Sequence, residues 1–420
     1  MKMVVESKIF AECMKKILPA VGVSKDKKGG SESSIQLMVT KQKLEDGYFG
    51  IAVAFDGKKQ FFSAFCANEL EMEEDKKEIY IGGKRLCDVC VAMDNGKDIP
   101  MSLEIDKSCL LKKGGSQVQI PLGEKPVIIY PSNDWYLKAS VSTAELLNLL
   151  AKGSRFYNSA VESSVADVCF CFDLEKDKLQ VSSTDVYKMG LFGMDIKPDY
   201  GQAMESLLKQ IDREDAKDLS DEKIEETEFP PTFCMNGKRL KLQIEGDQLK
   251  TLSRFLDAKA EKTEICVYEK YLYFKSNADI ALFLLKDVSE KPYPFEGLIK
   301  LVEGHSRKGR IHAVPKDILD ALTVFDVANQ EAEPHVYVTK DKSNMLCFST
   351  KGKLSKTLLP CEIKAGFKDS ILNSVIFRQA MANYEKEESV IIYMGGEQET
   401  VVITTQEECR DFCALTKVDA

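Results

Sequence analysis

Ser183-Thr184-Asp185-Val186-Tyr187-Lys188-Met189 is the stretch from which the organisation of this chain can be read. It stands between two apolar, strand-like runs, the second being Met189 to Met194. Two other short tags occupy the same place between strands: Ala54-Phe55-Asp56-Gly57-Lys58 before Phe61 to Phe65, and Ser349-Thr350-Lys351-Gly352-Lys353 before Thr357 to Leu359. A strand–tag–strand unit met three times is an internal repeat, the pattern to seek before any local reading.

Working outward, each tag is preceded by an amphipathic helix. In Glu6 to Leu18 the residues Ile9, Phe10, Cys13, Met14, Ile17 and Leu18 recur at helical spacing. Ser142 to Phe156 opens with a capping box, Ser142 and Glu145, and carries Leu146, Leu149 and Leu150 on one face. Pro315 to Val327 starts with a proline and presents Ile318, Leu319, Leu322 and Phe325. Each tag is followed by a second helix, with stripes Leu86/Val89/Cys90/Met93, Leu249/Leu252/Phe255/Leu256 and Ile371/Leu372/Val375/Ile376. Closing hairpins are expected at Ser102 to Leu122, Glu264 to Leu285 and Val390 to Thr405.

The spacing is uneven in an informative way. Asp56 and Asp185 are 129 positions apart, Asp185 and Lys351 are 166 apart, and the difference of 37 calls for an insertion in the middle copy. Asp212 to Glu228, with nine acids against three bases and Pro230-Pro231 after it, supplies one: a solvated excursion rather than core. The expected fold class is therefore α+β, with three modules at 1–131, 132–308 (insertion near 197–231) and 309–420. Each module packs two helices on antiparallel sheet. Units joined head to tail either close into a ring or run on as a filament.

Composition limits the function. The 420 residues suit about three domains. Hydrophobic residues at 44% give each a core, and no run reaches the ~20 apolar residues of a membrane span. Thirteen cysteines, an odd number, without an export signal read as reduced thiols of a cytoplasmic protein. A net charge of −9 makes any contact with nucleic acid depend on a local basic surface.

Such a surface is available on the helices: Lys15, Lys16, Lys84, Arg85, Lys152, Arg155, Lys250, Arg254, Lys316, Lys368 and Arg378, together with Lys25. For any one of them an ordinary solvated helix face is the commoner explanation. Recurrence on corresponding helices of all three modules is what points to a basic lining, which would touch phosphates without reading sequence.

The tags also carry a resemblance. Ser183 to Met189 resembles the Ala-Thr-Asp-Gly-His-Arg-Leu segment in the middle domain of the bacterial beta sliding clamp, the beta subunit of DNA polymerase III. Met1-Lys2-Met3-Val4-Val5-Glu6 is similar to that family's opening strand and helix start. Gly83-Lys84-Arg85-Leu86-Cys87-Asp88-Val89 resembles its second helix, and Tyr293-Pro294-Phe295-Glu296 its Phe-Pro-Asp-Tyr turn. The resemblance implies a homodimeric ring of six similar domains that encircles duplex DNA, takes no cofactor or metal, and acts as a processivity factor rather than an enzyme. It also implies a cleft for short peptides of polymerases and clamp-loader subunits, carried over onto Val165, Thr184, Val186, Tyr187, Lys188, Met189, Leu301, Cys413 and Leu415. This chain departs from the family at Val186, Tyr187 and Lys188, where glycine, histidine and arginine are usual. It departs again at its tail, Cys413-Ala414-Leu415-Thr416-Lys417-Val418-Asp419-Ala420.

Two other classes compete. A clamp-like structural or regulatory paralogue that no longer loads onto DNA would suit the altered cleft and tail. A thiol oxidoreductase would use Cys87-x-x-Cys90, but Cys90 falls in a helical apolar stripe, where buried thiols are the rule. His305, His312 and His335 lie at no metal-ligand spacing, and Lys112-Lys113-Gly114-Gly115 joins two strands with no helix start behind it to hold a phosphate.

Overall fold

Strand Lys2–Val5 leads straight into helix α1 (Ser7–Ile17), and the same strand–helix step recurs down the chain in the computed structural model. The structure describes all residues except 23–32, 95, 98, 161–163, 218–228, 290–291, 306, 329–333, 351–355, 396–399, 408–409 and 419–420. Lys25, the Lys351-Gly352-Lys353 end of the third tag and most of the acidic insertion lie outside the described residues.

The helices follow from their apolar spacing with few exceptions. Helix α1 buries Phe10, Cys13, Met14 and Ile17, whereas Ile9, placed on that stripe by spacing alone, is 45% exposed. Helix α2 (Gly83–Met93) packs on α1 and buries Leu86, Cys87 and Cys90. Helix α3 (Thr143–Gly153) begins where the capping box puts it, the Glu145 N–H donating to Ser142 Oγ at 3.4 Å. Helix α4 (Gln202–Lys217) opens the insertion.

The expected helix through Leu249 and Leu256 is two single turns, α5 (Gly246–Leu249) and α6 (Leu252–Phe255), with all four apolar residues buried. Helices α7 (Phe295–Glu303), α8 (Pro315–Ala328) and α9 (Ser374–Met381) complete the set used below. At α9 the expected stripe is corrected. Ile371 and Leu372 belong to strand Ser370–Asn373, and Asn373 caps a helix that buries Phe377, Ala380 and Met381 instead. The Asn373 side chain accepts the N–H groups of Val375 and Ile376, a stop for the strand and a start for the helix in one residue.

The chain divides into two compact units, and the span expected as a middle module, 132–308, is shared between them. The first unit holds Met1–Leu146, Lys197–Pro230 and Asp247–Lys286. Its sheet has 13 strands, all antiparallel where paired. Strand Lys59–Glu71 lies at its centre, bonded along one edge to Gly47–Phe55 and along the other to Lys2–Val5 and, through Phe62↔Ile280 and Lys59↔Phe283, to Asp279–Leu284. Module-one strands therefore continue without a break into the closing hairpins of module two. Phe61 sits at the join, fully buried, its ring 4.5 Å from Phe255 and 5.8 Å from Phe283.

The second unit holds Leu147–Ile196, Pro231–Gly246 and Asp287–Ala420, with a 10-stranded and a 4-stranded sheet. In the larger sheet, strand Lys188–Asp195 pairs with Phe412–Thr416, more than 200 positions later in the chain.

Candidate functional site

The first two tags are hairpin turns built on an aspartate. In the first, Asp56 Oδ1 accepts the N–H groups of Lys58 and Lys59, the Asp56 N–H donates to the Lys59 carbonyl at 3.2 Å, and Lys59 Nζ lies 2.9 Å from the carboxylate. In the second, Asp185 Oδ1 accepts from Tyr187 and Lys188, the Asp185 N–H donates to the Lys188 carbonyl at 3.1 Å, and Lys188 Nζ is 3.2 Å away. The first and second tags thus share the same set of bonds.

The residue after the aspartate has positive φ in both, +93° at Gly57 and +81° at Val186. A β-branched residue crowds its own backbone there, and the first central position of such hairpin turns favours glycine. Val186→Gly should therefore stabilise the protein by about 1 kcal/mol, the relief of roughly 1–2 kcal/mol of strain less the extra flexibility of glycine when unfolded. Equilibrium denaturation measures it, and an unchanged or lower midpoint would show the valine to be unstrained.

Around this turn the structure gathers some of the expected cleft residues and separates others. The C-terminal strand does return to the turn: Leu415 pairs with Lys188, and the Thr416 N–H donates to the Tyr187 carbonyl at 2.8 Å. Directly paired residues share a sheet face. Met189 is opposite Ala414 and Leu191 opposite Phe412, and this face, with Thr184, lies under α7. Lys188, Cys413 and Leu415 fall on the other face. There Cys413 Sγ accepts from Asn383 Nδ2 at 3.2 Å, and Lys188 Nζ donates to Gln379 Oε1 at 3.1 Å.

Met189, Cys413 and Leu415 are 5%, 0% and 1% exposed, so they are sheet interior in this chain. Val186 (72%), Tyr187 (66%) and Leu301 (45%) are the exposed apolar members. Val165 is half-buried, its carbonyl accepting the Asn158 N–H. Ala414, Phe412 and Leu191 were missed by sequence reasoning. The alternation of Phe412–Thr416 offers two faces, and only the register against Met189 selects one.

The basic residues divide by unit. In the first unit Lys15, Lys84, Arg85, Lys250 and Arg254 are exposed on α1, α2 and the α5–α6 turns. Lys16 forms an ion pair with Asp279, and Lys250 lies 2.6 Å from Asp247. In the second unit most are engaged. Lys152 Nζ is 3.3 Å from Glu387 and sits over the rings of Phe192 and Tyr384 at 5.7 and 6.0 Å. Arg155 donates to the Gln379 carbonyl, and Arg378 pairs with Asp326 while donating to the Leu322 carbonyl at 2.6 Å. Lys316 is exposed on α8, but Asp317 and Asp320 are exposed beside it, and Val324 and Val327 follow at 60% and 80%.

The cysteine pair is set in core. Cys87 and Cys90 are fully buried in the α1–α2 contact, with Cys87 Sγ donating to the Met14 carbonyl. Burial pushes the Cys87 and Cys90 thiols far up and raises Cys13 and Cys109 to about 12, the reverse of what a reactive thiolate needs. Among the described residues no group of histidine, cysteine and carboxylate side chains is placed to hold a metal ion, and no helix is long and apolar enough to cross a membrane.

No family model and no curated protein matches the sequence. Solved structures do match its fold along its whole length. The DNA polymerase III beta subunit of Pseudomonas aeruginosa superposes with a TM-score of 0.73 at 11% identity, covering 100% of both chains. The Helicobacter pylori beta clamp bound to a DNA ligase peptide gives 0.74 at 13%, again over 100% of both. The Bacillus subtilis sliding clamp gives 0.74 at 14%, over 100% of this chain and 99% of that one. The chain has the sliding-clamp fold.

Proposed function

We propose that this chain is a DNA sliding clamp, a non-catalytic processivity factor of the cytoplasm. Its modules at 1–131, 132–308 and 309–420 are three of six in a ring formed by two copies, which tethers a DNA polymerase to duplex DNA. The carrying observation is fold agreement over the full chain with clamps from three bacteria, one of them holding a partner's peptide. Exposed Lys15, Lys84, Arg85, Arg254 and Lys316 are the residues we assign to phosphates, whereas Lys16, Lys152, Arg155, Lys250 and Arg378 are held in ion pairs or hydrogen bonds.

A second copy has a surface to meet. Val324 and Val327 form an apolar step on α8. Strand Lys356–Leu359 ends its sheet with an open edge among the described residues and shows Leu358 at 39%. Peptides of the polymerase and the clamp loader are assigned to the Val186–Tyr187 turn and Leu301, beside the expected members Val165, Thr184, Lys188, Met189, Cys413 and Leu415.

The acidic and apolar outer side of α8, and the engagement of Lys152 and Arg378, favour a second reading: a clamp-like protein that does not load onto DNA. One experiment separates them. The protein, loaded with its cognate loader, should be retained on nicked circular plasmid and lost when the plasmid is linearised. Light scattering should give about twice the 47.1 kDa of the chain, and Val324→Asp with Val327→Asp should halve it. Equal retention on circular and linear DNA, or none on either, supports the second reading.

A further inference from the structure

Between the end of α7 and strand Arg310–Ala313, two arginines are set on an unusually constrained backbone. Buried His305 accepts the Arg307 N–H on Nδ1 at 3.2 Å, so its proton sits on Nε2 and is donated to the Thr400 carbonyl at 3.0 Å. Arg307 is thereby held at φ +51°, a region that arginine seldom adopts. Gly309 follows at φ +62°, and a Cβ there would lie 2.7 Å from Phe367 Cα and 2.8 Å from Gly395 Cα. Only glycine lets backbone meet backbone so closely. Arg310 then pairs with Tyr393 on one side, while its carbonyl accepts the Lys364 N–H at 2.8 Å on the other. Strained backbone held this firmly is characteristic of ligand clamps.

These residues surround a pocket of about 320 Å³, lined by Arg307, Gly309, Arg310, Lys364, Tyr393 and Glu407. Both guanidiniums converge on Glu407: Arg307 donates to its carbonyl at 3.0 Å, and Arg310 pairs with its carboxylate. That carboxylate reaches in from solvent, 68% exposed, and Lys364 pairs with Glu362, itself 58% exposed. Pairs to such exposed carboxylates contribute little and give way readily. Three cations on fixed backbone thus face two loosely held single charges. A carboxylate brings one charge and two oxygens. A phosphate monoester brings about −1.5 to −2 charge at pH 7 and three acceptor oxygens, enough for both arginines and the lysine together. A phosphodiester has two free oxygens and a chain on both sides, which Glu407 and Glu362 oppose.

We propose that this pocket binds a phosphate monoester, whose oxygens take the Arg307 and Arg310 guanidiniums and the Lys364 ammonium, the Glu407 carboxylate being the group it displaces. A free nucleotide and a phosphorylated side chain share this chemistry. The site is built on strands Arg310–Ala313 and Glu362–Ile363 and needs neither DNA encirclement nor a docked polymerase peptide. It is measured without DNA, so its failure leaves the sliding-clamp reading standing, and loss of DNA retention leaves the pocket standing.

The test is isothermal titration calorimetry on the full chain at constant ionic strength, with AMP and a capped Ala-phosphoserine-Ala peptide as probes. At least one should bind saturably, and at least tenfold more tightly than adenosine, the unphosphorylated peptide or dimethyl phosphate. The tighter of the two identifies the source of the phosphoryl group. Glu407→Gln should tighten binding at least threefold, because the competing carboxylate is gone. Arg307→Gln with Arg310→Gln should weaken it at least tenfold, circular dichroism serving as the folding control. If that pair fails to fold, Lys364→Gln, at an exposed position, should weaken binding at least threefold with the melting temperature unchanged. No saturable binding of either monoester, equal binding of dimethyl phosphate, weaker binding in Glu407→Gln, or indifference to the arginine and lysine substitutions overturns the proposal. Oligo-dT without a terminal phosphate that binds more tightly than AMP, and is lost with the arginines, makes the pocket a nucleic-acid contact and overturns it equally.

Discussion

Replacing Lys15, Lys84 and Arg85 together with glutamate will abolish retention on circular plasmid at physiological salt while leaving the fold intact. All three are exposed on α1 and α2, whose apolar faces are committed to each other and to the sheet. Reversal changes only what the helices present outward. Each phosphate contact removed lowers the slope of log affinity against log salt by about 0.9, so three contacts together lower it by about 2.7. Introduced glutamates add repulsion to that loss. The measurement is retention across a salt series with circular dichroism as the folding control. A triple variant with parental slope and parental retention would take α1 and α2 off the DNA path. Lys15→Glu alone should give about a third of the slope change, since exposed residues on separate turns act almost independently.

Lys152→Glu will behave differently, and its effect will be on stability. Sequence spacing puts Lys152 among the DNA-facing residues, but its side chain is only 18% exposed. The ammonium lies between the Glu387 carboxylate and the faces of Phe192 and Tyr384. A glutamate there would set a second carboxylate against Glu387 and against two electron-rich ring faces. Reversal at such a half-buried site should cost about 2–3 kcal/mol. Lys152→Met, which keeps the methylene stem and drops the charge, should cost less than about 1 kcal/mol. Denaturant titration of the two variants tests this. Parental stability in Lys152→Glu, accompanied by weaker DNA binding, would return the residue to the DNA surface.

The contrast between these residues shows what the sequence could and could not carry. The order of helix, tag and hairpin was read from tag spacing and apolar periodicity, which are local signals, and the first two tags share their hydrogen bonds at Asp56 and Asp185. Helix faces were legible for the same reason, and Ile9 was misread because an 11-residue amphipathic helix leaves stripe-edge positions undecided. Strand Ser370–Asn373 passed for helix because Ile371-Leu372 fits either period over so short a run.

Side-chain engagement was not legible at all. Lys152 and Lys84 look alike in sequence, and only segments distant along the chain, at Phe192, Tyr384 and Glu387, distinguish them. Cleft membership turns on parity. Cys413 and Leu415 alternate with Phe412 and Ala414, and a shift of one residue exchanges the faces.

The sharing of strands between modules also dictates how the chain must come off the ribosome. Ser63 on the central strand of the first unit bonds to Asp279, 216 positions later, and Lys16 waits for the same carboxylate. At roughly 5–20 residues per second, that partner arrives on the order of ten to forty seconds after the strand it completes. During this interval the Lys59–Phe62 end of an apolar strand stands open at a sheet edge, with Phe61 lacking both its ring neighbours. Nascent chains halted between the second helix and the Asp279–Leu284 hairpin are therefore the form of this protein most in need of a chaperone. Fragments cut at the module boundaries inherit the same open edge permanently.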